Sequence, residues 1–355
     1  ILQGASAFTG TTVFNHTGLN SGVINSVVLN GTTNQTILGN VIIGNTGTIA
    51  NNNFDVTVAL GADEQIIDTA SITFNSTSGE EAYFKLLGFT ETVAGISAAS
   101  RGVIENHESA VDAVAGEGKL IVNSSEDFSY TGFIRDAASA PGGALAFEKQ
   151  GTSTQMLIGA SITHTGTTTI SGGTLHLQGV TLWNSNIVNN SLLILDETTA
   201  RTHARDITGT GSLIKQGTAA LTFAGGLNLT YQGSTTVKNG TLTIGSSING
   251  TTSLNVLNGG STLALTGGIT DASSITNVVV EHGGTLSLLD GVGNKLTDLT
   301  TLQLGSSGGT MTTLNLNVGD FGAAGDNLNT DLLSLLTGGT LSLFAGNQIT
   351  LNLTD

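Results

Sequence analysis

Cysteine is absent from the 355-residue sequence, and proline occurs once, at Pro141. Without cysteine the chain can form no disulfide framework, no thiolate metal site and no cysteine nucleophile. Aromatic residues make up 5% of the chain and charged residues 10%, both low for an ordinary globular protein. Hydrophobic residues still reach 38%, which is enough to bury a core.

Basic residues are also few, with 10 lysines and arginines against 26 acidic residues and a net charge of -16. A field of this sign repels phosphate backbones and anionic lipid surfaces, so we expect no nucleic-acid partner. The densest basic stretch, Arg201 to Arg205, is predicted to be a solvated loop.

Long apolar runs are missing as well. No stretch approaches about 18 consecutive apolar residues, so no direct membrane insertion of this segment is expected. Because the chain starts at Ile1 without a charged leader, we expect a mature form or a fragment. The stretch from Leu351 to Asp355 carries no obvious polar cap, which favours continuation into further chain.

Glycine, with 50 residues, accompanies abundant threonine, serine and asparagine. This composition is typical of short strands joined by many turns. The dominant pattern is a Gly-Gly or Asn-Gly turn followed by leucines that alternate with polar residues. It occurs at Gly173-Thr-Leu-His-Leu, Gly240-Thr-Leu-Thr-Ile, Thr262-Leu-Ala-Leu, Gly284-Thr-Leu-Ser-Leu, Thr313-Leu-Asn-Leu-Asn-Val and Gly339-Thr-Leu-Ser-Leu-Phe.

From Gly240 onward these turns recur every 20 to 30 residues or so, the spacing expected when each coil of a solenoid is one unit. In a parallel β-helix the stacked parallel strands surround a single interior, so each strand has an apolar inward face and a polar outward face. We therefore predict an all-β, right-handed parallel β-helix. The inward residues of its strands are predicted to be Leu175, Leu177, Leu242, Ile244, Leu263, Leu265, Leu286, Leu288, Leu314, Leu316, Leu341 and Leu343, with the residues between them facing water.

A longer repeat is superimposed on this pattern. Lys149-Gln-Gly-Thr returns as Lys215-Gln-Gly-Thr after 66 residues, and Gly173-Thr-Leu returns as Gly240-Thr-Leu after 67. One residue inserted in a loop between the two blocks explains the difference.

These blocks resemble a known repeat. Gly211-Ser-Leu-Ile-Lys-Gln-Gly-Thr and Tyr231-Gln-Gly-Ser-Thr-Thr-Val-Lys-Asn-Gly-Thr-Leu-Thr-Ile are similar to the autotransporter-associated β-strand repeat of passenger domains, and an earlier copy runs from Lys119 to Leu177. The resemblance covers about residues 86 to 250. It implies a right-handed β-helix, export to the bacterial cell surface, and a C-terminal translocating barrel. The sequence up to Asp355 does not include such a barrel, a departure that cleavage, truncation or a different anchoring device would each explain.

The predicted organisation is a single elongated domain over 1–355. If the chain leaves the core anywhere, the expected place is 61–116. Asp63 to Asp68 is acidic and interrupted there, and Thr92 to Ala115 has apolar spacings that a helix would also explain. Strands and turns are preferred, because Gly95, Gly102 and Gly116 break the run.

Motifs that carry chemistry are weak. Asn329-Thr330-Asp331 matches the first motif of pectin-hydrolysing β-helices, but the partner carboxylates and the other motifs of that group are missing. Asp290, Asp320 and Asp326 are predicted to be turn residues rather than calcium ligands. The histidines lack the short spacing of a zinc site and are predicted to be surface residues: His16, His107, His164, His176, His203 and His282. We predict no catalytic, metal or cofactor site.

Three functions remain open at this point. A structural or adhesive surface module that associates with itself, with a host or with neighbouring cell surfaces is favoured. A polysaccharide-acting enzyme would need aromatic residues for sugar stacking, and Trp183 is the only tryptophan. A secreted effector that binds a host receptor is the third function, and composition does not distinguish it from an adhesin.

Overall fold

A computed structural model gives the fold of the chain. It describes residues 1–4, 7–15, 25–31, 35–44, 55–76, 81–107, 116–136, 143–159, 162–180, 183–266, 274–289, 295–307, 311–317, 332–344 and 349–354. Within these ranges the regular secondary structure is entirely β-strand. None of the described residues forms a helix of the length and apolarity that crossing a membrane requires.

Two compact units divide the chain, Ile1–Ile187 and Val188–Asp355. The first contains β1 (Thr12–Phe14), β2 (Asn25–Leu29), β3 (Val41–Ile43), β4 (Val56–Leu60), β5 (Ser71–Phe74), β6 (Ala82–Lys85), β7 (Thr90–Val93), β8 (Gly95–Glu105), β9 (Gly118–Ser124), β10 (Phe128–Arg135), β11 (Leu145–Gly151), β12 (Thr154–Ile158), β13 (Thr168–Ile170) and β14 (Thr174–Gln178). Strand β15 (Ile187–Asn189) lies at the boundary.

The second unit contains β16 (Leu192–Asp196), β17 (Arg201–His203), β18 (Ile207–Thr208), β19 (Ser212–Gln216), β20 (Leu221–Phe223), β21 (Ser234–Val237), β22 (Thr241–Ile244), β23 (Ser253–Val256), β24 (Thr262–Leu265), β25 (Asn277–Val280), β26 (Thr285–Ser287), β27 (Lys295–Leu304), β28 (Thr312–Asn317), β29 (Leu332–Leu343) and β30 (Ile349–Thr354).

Parallel pairing organises the first unit into three columns of strands. One column runs through β1, β3, β5, β8, β10, β12 and β14. A second runs through β2, β4 and β6 into the far half of β8, and a third through β7, β9, β11 and β13. Strands adjacent in space are separated in sequence by intervening strands of other columns, which is the topology of a parallel β-helix.

The second unit repeats this arrangement with two long columns. One passes through β16, β19, β21, β23, β25, β27 and β29, and the other through β17, β20, β22, β24, β26, β28 and β30. The parallel pairing confirms the predicted all-β solenoid. The direction in which the coils turn remains a prediction.

A column of leucines forms the core of the second unit. Leu221, Leu242, Leu263, Leu286 and Leu314 are aligned on successive parallel strands, and all are buried. Stacking identical side chains at one register position removes each from water on both sides, which is worth roughly 1.5 to 3 kcal/mol per leucine.

Most of the inward residues predicted from the sequence are therefore confirmed. Leu316 is half-buried, and the prediction is wrong for Leu341 and Leu343, which are 51% and 56% exposed. Both align with buried residues of β27, Leu302 and Leu304, so they occupy the inward register. They are exposed because the described residues leave the outer side of β29 uncovered.

The described part of the segment 61–116 consists of strands joined by turns and bends. Strands β5 to β8 lie within it, and Thr92 to His107 contains no helical turn. Residues 108–115 lie outside the described ranges. The extent of a single domain over 1–355 stays a prediction.

Candidate binding groove

A polar groove of about 370 Å³ lies in the first unit. This volume falls within the range of small-molecule sites, about 300 to 1,000 Å³. Its lining combines amide, hydroxyl and carboxylate groups with one aromatic ring: Asn40, Asp68, Thr69, Ser71, Ala94, Asn123, Ser124, Ser125, Glu126 and Phe128.

The stacking of strands brings these distant residues together. Asn40 directly precedes β3, Ser71 begins β5, Ala94 precedes β8 and Phe128 begins β10. Because these four strands are successive parallel neighbours, their N-terminal ends lie side by side. Asn40 fixes two of the coils to each other, since its Oδ1 accepts the backbone N–H of Ser71 at 3.0 Å.

The ring of Phe128 packs against the backbone of Gly95. A Cβ added at Gly95 would lie 2.1 Å from Cδ2 of Phe128, so only glycine leaves room for the ring there. Phe128 is half-buried and contributes to the groove lining. Gly95 thus supports one side of the ring, and the ring contributes apolar surface to the groove lining.

Several polar groups of the groove are open to a ligand. Asn123, Ser125 and Glu126 are exposed, and their side chains make no hydrogen bond to any other described residue. Asp68 is exposed too, with its Oδ1 accepting from Gln35 Nε2 at 3.2 Å. Together these groups can donate and accept hydrogen bonds from a neutral polar molecule.

The first unit also buries a carboxyl group. Glu91 is fully buried, with its Oε2 accepting the N–H of Gln65 at 2.8 Å and its Oε1 that of Ile66 at 2.9 Å. Burial raises the pKa of Glu91 to about 8, although the two backbone hydrogen bonds act in the opposite direction. Glu91 therefore joins neighbouring coils as an internal hydrogen-bonding group.

The histidines lie elsewhere than expected. His107, His164, His176 and His203 are all buried, so the prediction of surface histidines is wrong for these four. The period-two pattern cannot show this burial, because neighbouring coils decide which positions are covered. His282 is half-buried beside Ser306, and His16 lies outside the described residues.

Two of the buried histidines, His164 and His203, are neutral at pH 7. Burial lowers the pKa of His164 to about 4 and that of His203 to about 3. His164 packs edge-on against Trp183, with ring centroids 5.2 Å apart. No group of three or more potential metal-ligating residues occurs in the part of the chain that the structure describes. The absence of a metal site remains a prediction.

The prediction of a solvated loop at Arg201 to Arg205 is wrong for Arg201 to His203, which form β17, whereas Ala204 and Arg205 are exposed and lie outside the strand. Arg201 begins β17, and its Nε donates to Oε1 of Glu197 at 2.8 Å. Both side chains are almost fully buried, so the pair compensates its own charges inside the fold. The ion pair was not predicted, because Glu197 and Arg201 stand among polar residues in the sequence and no apolar pattern marks them as buried.

The remaining sequence candidates contribute little to a site. Asn329-Thr330-Asp331, Asp290, Asp320 and Asp326 lie outside the described residues. Trp183 is buried, so its ring is not a platform for a sugar. The groove residues were missed by sequence reasoning, since only the Asn123-Ser-Ser-Glu turn marks them and such turns are common in this composition.

The two long repeat blocks share an internal lysine. Lys149 and Lys215, equivalent by the 66-residue offset, are both fully buried. Nζ of Lys149 donates to the carbonyl oxygen of Gln150, and Nζ of Lys215 donates to those of Gly217 at 2.8 Å and Asn239 at 2.9 Å. Burial lowers the pKa of both lysines. Lys149 thus bonds a carbonyl within its own strand, whereas Lys215 joins the carbonyls of two residues that lie outside the strands.

A chain of hydrogen bonds also recurs in both blocks. In the second block Tyr231 bonds Thr235 at 2.6 Å, Thr235 bonds Thr251 at 3.0 Å, and Thr251 donates to the carbonyl of Gly233 at 2.8 Å.

The first block has the corresponding arrangement. His164 bonds Thr168 at 2.9 Å, Thr168 bonds Ser185 at 2.9 Å, and Ser185 donates to the carbonyl of Gly166 at 2.6 Å. The 67-residue repeat is thus a repeat of buried interactions as well as of sequence.

Comparison with known families identifies these blocks. A family model described as passenger-associated-transport-repeat matches residues 147–177 and residues 213–244. The chain carries passenger-associated-transport repeats. The first passenger repeat spans β11 to β14 and the second spans β19 to β22, so each includes the buried lysine and the Gly-Thr-Leu strand.

The passenger repeats confirm the resemblance to autotransporter passenger domains. A repeat of this kind implies secretion to the cell surface and favours a structural or surface module. No curated protein and no solved structure matches the chain.

Proposed function

We propose that this chain is a structural and adhesive module of a bacterial cell-surface protein that associates with further copies of itself. The passenger repeats support the surface setting. The observation that carries the self-association is the exposed apolar side of β29.

A surface scaffold needs a core that is stable without disulfides or bound metal. The aligned leucines of β20, β22, β24, β26 and β28 supply such a core in the second unit. Lys215 and the two hydrogen-bond chains bond carbonyl groups that lie between strands, those of Gly217, Asn239, Gly233 and Gly166. Each coil is therefore stabilised by its neighbours.

Strand β29 presents leucines that a further coil would cover. Leu341 and Leu343 are more than half exposed, although they align with Leu302 and Leu304, which are 9% and 6% exposed. Exposed apolar residues at an inward register are unfavourable in water, and covering them with another strand is a route to association.

The occupant that we propose is a second copy of this chain. The β29 surface fits a parallel strand with alternating apolar residues, and the chain is composed of such strands. Its N-terminal part offers apolar residues for the contact, since Ile1, Leu2, Phe8 and Val13 are exposed. Contact between two different surfaces of identical chains produces rings or open filaments rather than twofold dimers.

Light scattering at rising concentration, combined with negative-stain microscopy, tests the self-association. We expect the mean mass to grow with concentration and Leu343→Asp to suppress that growth. Thr202→Asp is the matched control, because it adds the same charge at an exposed position of β17. A mass that stays constant with concentration, or growth that Leu343→Asp leaves unchanged, would rule out association through β29.

We also expect the chain to have no hydrolytic activity. Support comes from the passenger repeats, which favour a surface module. Incubation with neutral and acidic polysaccharides should release no reducing ends above a no-protein blank. Release that survives repurification and disappears on Glu126→Gln would instead make the groove an active site.

A further inference from the structure

We propose that the groove formed by Asn40, Asp68, Asn123, Glu126 and Phe128 binds an uncharged oligosaccharide. This inference deepens the adhesive part of the proposed function, on which it rests, by naming a class of ligand. The groove residues differ from those proposed for self-association, which are the leucines of β29 and the exposed apolar residues near the N-terminus.

The chemistry of the lining matches a sugar ring. A pyranose presents hydroxyl groups at its edge and C–H groups on its face. Carboxylate and amide groups of Asp68, Asn123 and Glu126 can bond the hydroxyls, and the ring of Phe128 can pack against the C–H face. A ligand without hydroxyl groups would leave the polar groups of the groove unbonded, and a ligand without a C–H face would leave the ring of Phe128 uncovered.

Charge argues against two other ligands. Asp68 and Glu126 both line the groove, and the chain carries a net charge of -16, so an acidic polysaccharide would be repelled. A divalent cation needs several oxygen ligands close together. The described residues contain no group of three or more acidic or histidine side chains that could hold one.

The groove is held in place before any ligand binds. Asn40 bonds the backbone of Ser71 across two coils, and Ser124 Oγ accepts the N–H of Glu126 at 2.8 Å, which fixes the turn between β9 and β10. Phe128 rests on Gly95. A rigid site on stacked strands loses little conformational entropy on binding, which favours affinity.

The site extends along the stacked coils, since its residues come from the starts of four consecutive strands. An open groove in this direction suits a linear chain of sugars rather than a single free monosaccharide.

The test measures binding of neutral tetrasaccharides to the whole chain by saturation-transfer NMR and calorimetry. The probes are cellotetraose, maltotetraose, mannotetraose and chitotetraose, with tetragalacturonate as the charged comparison. We expect at least one neutral probe to bind and tetragalacturonate to bind more weakly. Asn123→Ala and Glu126→Gln should each weaken binding by about tenfold, the equivalent of about 1.4 kcal/mol.

Matched controls distinguish binding from general damage. Glu117→Gln removes one exposed carboxylate outside the groove and should leave the affinity unchanged. Phe128→Tyr keeps the ring and should bind, whereas Phe128→Leu should not. Melting temperatures of all variants identify any that fail to fold.

Three results would overturn the proposal: no binding of any neutral probe at about 10 mM, affinity that is the same in the groove variants, or stronger binding of tetragalacturonate. Light scattering on the same samples reports self-association independently. A failed sugar test with concentration-dependent growth therefore refutes the groove alone.

Discussion

Leu242 and Leu343 are inward leucines of two Gly-Thr-Leu strands, yet Leu242 is fully buried and Leu343 is 56% exposed. The sequence around them is similar, and the difference arises from the strands on either side. Leu242 lies between Leu221 and Leu263 in its column, whereas Leu343 is covered on the β27 side alone among the described residues.

The same substitution at these two positions should therefore have opposite consequences. Leu242→Asp places an unpaired carboxylate in the core and should lower the melting temperature sharply or prevent folding, since burial of an unpaired charge costs several kcal/mol. Leu343→Asp should change the melting temperature little. Thermal unfolding followed by circular dichroism measures both, and equal melting temperatures would show that Leu242 does not face the core.

Glu91 makes stability depend on pH. Its pKa is about 8 in the folded chain and near its ordinary value in the unfolded chain, so the folded state binds an extra proton between these values. Stability contributed by the neutral form is fully present below pH 4.5, falls as the pH rises, and is lost above about pH 8.

We expect Glu91→Gln to remove this dependence. Within the window the wild-type chain should lose up to about 1.4 kcal/mol of unfolding free energy per pH unit relative to the variant. Urea unfolding at several pH values measures the difference. Glu117→Gln, on an exposed carboxylate, is the control and should follow the wild type. Parallel curves for wild type and Glu91→Gln would show that Glu91 is ionised throughout.

A buried chain of hydrogen bonds joins β21 of the second passenger repeat to residues on either side of it. Thr235 of β21 links Tyr231 to Thr251, and all three side chains are buried. Thr243 of β22 lies on the outward row, where it is half-buried and bonded to no described side chain.

Replacing these two threonines with valine tests the linkage. Thr235→Val leaves two buried hydroxyl groups short of a partner and should cost about 1 to 3 kcal/mol of unfolding free energy. Thr243→Val makes the same replacement of a hydroxyl by a methyl group, but on the outward face of a strand, and should cost less than about 0.5 kcal/mol of unfolding free energy. Chemical unfolding of both variants measures the costs. If the costs were equal, the hydrogen-bond chain would contribute nothing specific.

At this scale the sequence predicts the strands well, because alternation and Gly-Gly turns are local signals. Gly240-Thr-Leu-Thr-Ile indicates β22 and its buried Leu242 without reference to the rest of the chain. Burial of His164 or Glu91 depends on which coil lies over it, and no local pattern contains that information. The groove could not be predicted for the same reason, since residues from four separate segments of the chain form it.

The whole chain carries a net charge of -16, and this charge opposes association between copies. Apolar contact at β29 favours association, and the balance depends on salt. Mobile ions screen the repulsion over about 10 Å at 0.1 M and about 3 Å at 1 M, while burial of leucine surface is little weakened by salt.

Self-association should therefore grow stronger with ionic strength. Light scattering at one protein concentration should show a larger mean mass at about 1 M salt than at about 0.01 M. Leu343→Asp should lower the mass at both, because it removes apolar contact and adds charge at the same place. Association that weakens as salt is added would mean that opposite charges hold the copies together, and the leucines of β29 would not be the contact.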